Sequence, residues 1–342
     1  MLELICALLI AVALNIYLLL GGADYGGGIW DLFASGERAE RQRALIERSI
    51  GPIWEANHVW LIAAVVVLFT AFPPAFARIM TFLHLPLLLM LLGIVARGSA
   101  FAFRSYEARR DFRRRWGTVF ATASLLTPVL LGTIIGAVAW GRIPSAEAHS
   151  HTASSFVTSW LGVFPLVVGL YALAMVAFLA AVYLTMEAEE EDLREDFRRR
   201  AAGSALFLGL MAATVLVVAF FEAPEILTDL TRTSWSWLLH VVTAIAALGA
   251  ITALWQRRFR WARRFAVVQV SLIIWGWAFS QYPHLVKPDL SLYEAAAPGI
   301  TLKLLLIVFA AGSLILVPSL YYLFRVFGKI GGPPAPREKL TD

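Results

Sequence analysis

The sequence predicts an all-α integral membrane protein with nine transmembrane helices. Three observations carry this. The composition is 59% hydrophobic and only 15% charged, with a mean hydropathy of +0.72. Nine apolar stretches are long enough to cross a bilayer, and arginine-rich loops alternate with arginine-poor ones between them. A soluble domain carries about 25% charged residues and lacks such runs, so the bilayer is the solvent for most of this chain.

A helix rises about 1.5 Å per residue, so about 20 apolar residues span the hydrocarbon core. The stretches that qualify lie near 2–34, 52–72, 79–103, 117–140, 156–184, 204–222, 235–255, 263–282 and 300–327. A closed barrel would show period-two alternation, which is absent. Residues 1–330 therefore read as one membrane domain, with 331–342 as a disordered cytoplasmic tail around Gly331, Gly332, Pro333, Pro334 and Pro336. The run from Glu187 to Arg200 reads as a solvated helix extension.

Of the 29 Lys and Arg residues, 27 are assigned to the loops and the C-terminal tail, with Arg263, Arg264 and Arg325 at the margins of spans, which leaves Arg97 and Lys303 inside them. The first, third, fifth and seventh loops and the C-terminal tail hold several each; the second, fourth, sixth and eighth hold only Arg78, Arg142, Arg232 and Lys287. Basic loops stay cytoplasmic, which predicts an N-terminus outside and a C-terminus inside. The net charge of +5 is thus spread over alternate loops rather than gathered on one face, which argues against nucleic acid. The start Met1-Leu2-Glu3-Leu4 has no basic region, so the first apolar run is expected to remain as a span. The single cysteine, Cys6, allows no internal disulfide and no thiolate metal site.

Ionisable groups inside spans are costly and point to function. Asp24 sits in the first span within Gly21-Gly22-Ala23-Asp24-Tyr25-Gly26-Gly27-Gly28. Glu55, Asn57 and His58 open the second span between Trp54 and Trp60, and Arg97 lies in the third, with His84 nearer its outer end. Asn15, Gln269 and His240 complete the set. The alternating topology puts Asp24, Glu55, His58 and Arg97 at similar depth on the cytoplasmic side, with Glu55 and His58 at i,i+3 on a shared face. Two readings compete. In one, the cluster admits protons, because burial raises a carboxyl pKa while Arg97 and the helix N-terminus lower it. In the other, Asp24 and Arg97 form a structural ion pair and His58 is a satisfied core histidine. The glycines likewise read either as close helix packing or as a broken helix lining an ion site.

Ligand chemistry is sparse. There are six His, with His149, His151 and His284 in outer loops, and no two sit at ligand spacing in one span. No nucleotide loop, serine elbow or HExxH occurs. The chain is expected to bind no metal or cofactor itself, and to act as a partner subunit or a transporter.

The stretch Gly51-Pro52-Ile53-Trp54-Glu55-Ala56-Asn57-His58-Val59-Trp60-Leu61-Ile62 resembles the signature of subunit II of cytochrome bd-type quinol oxidases. Ala71-Phe72-Pro73, the segment Arg97-Gly98-Ser99-Ala100-Phe101-Ala102-Phe103-Arg104, Gln281-Tyr282-Pro283 and the run from Ala295 to Lys303 match in the same order. The resemblance implies nine helices arranged as two four-helix bundles plus a peripheral helix, in a bacterial or archaeal cytoplasmic membrane. It implies a heterodimer whose subunit I carries haem b, haem d and the quinol site, with room for a small accessory subunit. That complex oxidises quinol and reduces oxygen to water with protons from the cytoplasm. Glu55 matches the acidic residue proposed for proton entry, and Asp24 matches the first-helix aspartate. Two departures thin the carboxylate chain: the first-helix motif lacks its first carboxylate, and position 102 is Ala where many relatives have Glu or Asp. A scaffold subunit, or a secondary transporter or ion-conducting protein, are the competing expectations.

Overall fold

The computed structural model describes residues 1–50, 54–106, 109–145 and 154–327. The expectations for 51–53, for His149 and His151, and for the tail 331–342 lie outside the described residues. Thirteen helices and one small hairpin follow in chain order: α1 (Leu2–Leu32), α2 (Ala39–Ile50), α3 (Trp54–Ala71), α4 (Pro73–Phe82), α5 (His84–Tyr106), α6 (Arg110–Trp140), α7 (Ser155–Thr158), α8 (Val163–Glu187), α9 (Glu191–Glu222), α10 (Pro224–Arg232), α11 (Ser234–Trp255), α12 (Phe259–Gln281), β1 (His284–Val286), β2 (Leu290–Ser291) and α13 (Gly299–Phe327). The two strands pair antiparallel.

Among the described residues, seven helices are long and apolar enough to cross a membrane: α1, α5, α6, α8, α9, α11 and α13. The number is eight if α2 and α3, which meet at 54°, count as one bent span. The eighth expected stretch does form a helix, α12, 23 residues long. It falls short in apolarity because it carries Arg260, Arg263 and Arg264 at its start and Gln269 and Gln281 further on. Both glutamines are buried against neighbouring helices, where a protein wall rather than lipid surrounds them.

Prolines set two of the breaks. Phe72 (φ −136°, ψ 60°) and Ala223 (φ −140°, ψ 59°) adopt nearly the same non-helical backbone, and each precedes a proline that starts a short helix, α4 or α10. Proline disfavours the helical conformation of the residue before it and suits a first helical turn. Span, short helix, span therefore occurs twice, as α3–α4–α5 and α9–α10–α11.

Helix α1 packs on α3, α6 and α8, while α8 packs on α1, α6, α9 and α12; α13 touches chiefly α3 and α1. Glycines make the α1 contacts close. A Cβ at Gly26 would collide with the Val176 carbonyl of α8, and one at Gly28 with the Ser124 side chain of α6. Gly26→Leu is expected to destabilise the subunit by at least about 1–3 kcal/mol by overpacking, seen as lost yield of folded protein on size-exclusion chromatography. An unchanged yield would contradict the close approach.

Several cations expected in solvated loops are buried instead. Arg78, inside α4, donates to Asp289 and to the Ile143 carbonyl, and Lys287 pairs with Asp229. These contacts pin the hairpin to α4, the segment after α6, and α10. At the arginine-rich end, Arg38 grips Asp196 of α9 with two hydrogen bonds (2.8 and 2.7 Å). Gln42 of α2 donates to the same carboxylate and accepts from Arg200, so α2 is fastened to α9. Loop cations thus become fixed wherever a carboxylate lies within reach.

Candidate functional site

The glycine-rich half of α1 buries Asp24 and Tyr25 between α3, α6 and α8, leaving Asp24 only 5% exposed. Asn57 of α3 donates its amide to the Asp24 carboxylate at 2.6 Å. One residue on, His58 turns toward α1: its Nε2 lies 3.5 Å from the Tyr25 hydroxyl, and its ring meets Tyr17 edge-on at 5.9 Å. The Tyr17 and Tyr25 hydroxyls are 3.0 Å apart. Arg97 of α5 is 1% exposed, with its guanidinium 4.8 Å above the Tyr25 ring and 5.3 Å from the Phe120 ring of α6. Aromatic faces stabilise a desolvated cation, and Arg97 also attracts the Asp24 carboxylate electrostatically. Asp24, Asn57, His58 and Arg97 therefore gather around Tyr25 inside the bundle.

Glu55 does not join them. It is exposed on the first turn of α3, in line with the outward-facing Ile62, Val66 and Phe69. The i,i+3 spacing with His58 is not enough to unite them, because the buried direction of α3 is fixed by Asn57. A two-residue step turns a helix by about 200°, placing Glu55 on the far side from Asn57. Trp60 packs on the main core, and the Trp54 side chain lies outside the described residues. Ala102 is exposed, so the position lacking a carboxylate is on an outward face of α5.

A second polar level went unrecognised in the sequence. Arg104, read as a loop residue, is a buried part of α5 and donates to both oxygens of buried Asp31 at 3.0 and 3.1 Å. Glu47 of α2 lies 3.7 Å from Arg104 and 3.8 Å from Arg113. The signal was present: Asp31 follows Asp24 by seven residues, and Arg104 follows Arg97 by seven. Seven residues are about two helical turns. The contacts Tyr25–Arg97 and Asp31–Arg104 show that α1 and α5 run parallel, so equal steps on both helices bring matching groups together. Each such level places an acid and an arginine in protein rather than in lipid.

At the opposite end, a cavity of about 490 Å³ opens between α1, α3, α6 and α12 under the hairpin. Its wall is almost wholly apolar, including Leu14, Leu61, Ile134 and Leu285. Gln281 and Trp277 bring amide and indole groups to it, and these have no hydrogen-bond partner among the described residues. Its chemistry suits an apolar molecule with a polar end. Among the described residues, no group of three or more His, Cys, Asp or Glu could hold a metal ion.

The model of the cytochrome bd terminal oxidase subunit II family matches residues 2–327 of the chain. The chain belongs to this family. It is similar to the cytochrome bd ubiquinol oxidase subunit 2 of Bacillus subtilis (strain 168), at 25% identity over 331 residues, 93% of this chain and 94% of the relative. It is also similar to the cytochrome bd-I ubiquinol oxidase subunit 2 of Escherichia coli (strain K12), at 23% identity over 358 residues, 94% and 93% of the two chains. A chain of the bd oxidase from Geobacillus thermodenitrificans shares the fold, with a TM-score of 0.80 at 24% identity, covering 95% of this chain and 98% of that one. The resemblance read from the helix-two signature is therefore the family itself, and a bd-family chain is a subunit of a respiratory terminal oxidase rather than a lone transporter.

Proposed function

We propose that this chain is the haem-free subunit of a quinol:oxygen oxidoreductase in a bacterial cytoplasmic membrane, paired with a subunit I that carries haem b, haem d and the quinol site. The family match over residues 2–327 carries this reading. Nine spans follow if α3 and α12 each cross the membrane, and the repeated span–short helix–span pattern supports two related four-helix bundles, α1–α3–α5–α6 and α8–α9–α11–α12, with α13 beside them. The basic ends of α2, α9 and α12 then lie in the cytoplasm, with the N-terminus outside. Purification of the chain with its native partner is expected to yield a complex with haem b and haem d bands in its reduced-minus-oxidised spectrum. A haem-free chain active alone overturns the assignment.

Within that complex, Asp24 and its neighbours take part in proton entry from the cytoplasm. A carboxylate held at 2.6 Å by Asn57, beside a chain of hydroxyls and an imidazole, can exchange a proton along Tyr25, Tyr17 and His58. Glu55 faces outward at membrane depth, where a carboxylate in lipid is unfavourable, so subunit I covers it. Glu55→Ala is expected to lower oxidase turnover about tenfold or more with haem content intact. Unchanged turnover would make Glu55 a scaffold residue.

A further inference from the structure

We propose that the turn between α11 and α12 binds the phosphodiester of an anionic phospholipid. Five arginines crowd into eight positions there: Arg257, Arg258, Arg260, Arg263 and Arg264. Arg257 is committed to Glu191 and Glu195, and Glu195 is already held by Arg198 and Arg199. Arg263 lies over the Tyr183 ring of α8 at 4.9 Å. Arg258, Arg260 and Arg264 have no carboxylate within 4.0 Å among the described residues.

Arg260 and Arg264 are the telling pair. They stand at i,i+4 on α12, a spacing that brings side chains together and makes like charges repel. They also occupy the first turns of a helix with no acidic residue there, where the helix dipole disfavours cations. The arrangement is unfavourable until an anion sits between the two guanidinium groups. The surroundings identify that anion as part of a lipid. Arg264 lies 4.8 Å over the ring of Trp261, which fixes one face of its guanidinium. Trp261 is 50% exposed, and with Val268, 45% exposed, it forms the apolar strip of α12 on which Arg264 lies. Trp255, 79% exposed, ends α11 at the same turn. Tryptophans at this position mark headgroup depth, so the arginines meet a phosphodiester whose acyl chains run along Val268.

The test uses the purified oxidase complex in detergent, titrated with phosphatidylglycerol or phosphatidylcholine and read by native mass spectrometry. The wild-type complex is expected to retain phosphatidylglycerol in preference to phosphatidylcholine, with an apparent Kd that rises with salt. R260Q/R264Q is expected to weaken that binding about tenfold or more while the haem spectrum stays unchanged. Equal affinity for the two lipids, or a salt-independent Kd, overturns the proposal without needing any variant. Equal retention by R260Q/R264Q also overturns it. Displacement by equimolar glycerol phosphate would reassign the arginines to a soluble phosphate and exclude the lipid.

Discussion

Arg104→Leu is expected to destabilise the subunit by about 3–5 kcal/mol, the effect of leaving one charge of a buried pair without its partner. The stranded group is Asp31, which loses both hydrogen bonds from the guanidinium and, among the described residues, keeps no other cation at that distance. Asp31→Leu is expected to do similar damage from the other side, leaving Arg104, among the described residues, with the longer approach to Glu47 at 3.7 Å. The double variant Asp31→Leu/Arg104→Leu separates charge burial from packing. Replacing both ions with apolar groups removes the stranded charge, and much of the lost stability is expected to return. Thermal unfolding of the purified complex, followed by haem loss, measures all three. Additive losses in the double variant would show that the pair acts through its individual contacts and not through mutual neutralisation.

Asp24→Asn is expected to cut quinol oxidase turnover by about 10²-fold, the lower end of what a positioned proton donor contributes, with haem content and assembly unchanged. The asparagine is isosteric and can still accept the Asn57 hydrogen bond, so the fold has no reason to change. It cannot deliver a proton to Tyr25 or His58. The structural reading of Asp24, as a counter-ion to Arg97, predicts the opposite pattern: poor assembly, with normal turnover in the complexes that form. Oxygen-electrode rates normalised to haem distinguish the two. Asp24→Glu, which keeps the carboxyl, is expected to retain more activity than Asp24→Asn.

How far the site was legible in the sequence depended on the residue. Asp24, Asn57, His58 and Arg97 stood out because a polar side chain in a 20-residue apolar run has no neutral explanation in lipid. Asp31 and Arg104 escaped because they lie where an apolar run gives way to charged sequence, and hydropathy cannot say on which side of that boundary a residue is buried. Their seven-residue offset from Asp24 and Arg97 was visible, but it has meaning only once α1 and α5 are known to run parallel within reach of an arginine side chain. Glu55 shows the reverse error. Its spacing to His58 matched a shared face, yet Asn57 had already fixed which face of α3 turns inward.

The sequence alone determined that the chain lives in a membrane, where its long apolar helices run, and which family it belongs to, but not the short helices α2, α4, α7 and α10 or the hairpin. Those properties follow from local quantities: twenty apolar residues, prolines after Phe72 and Ala223, and an unbroken signature from Gly51 to Ile62. Tertiary structure decided which charges are paired, as with Arg78 and Asp289, Lys287 and Asp229, and Arg104 and Asp31. The first of these pairs joins residues 211 positions apart. An ion pair depends on side-chain distances below about 4 Å, and only the packing of elements far apart in the chain brings such atoms that close.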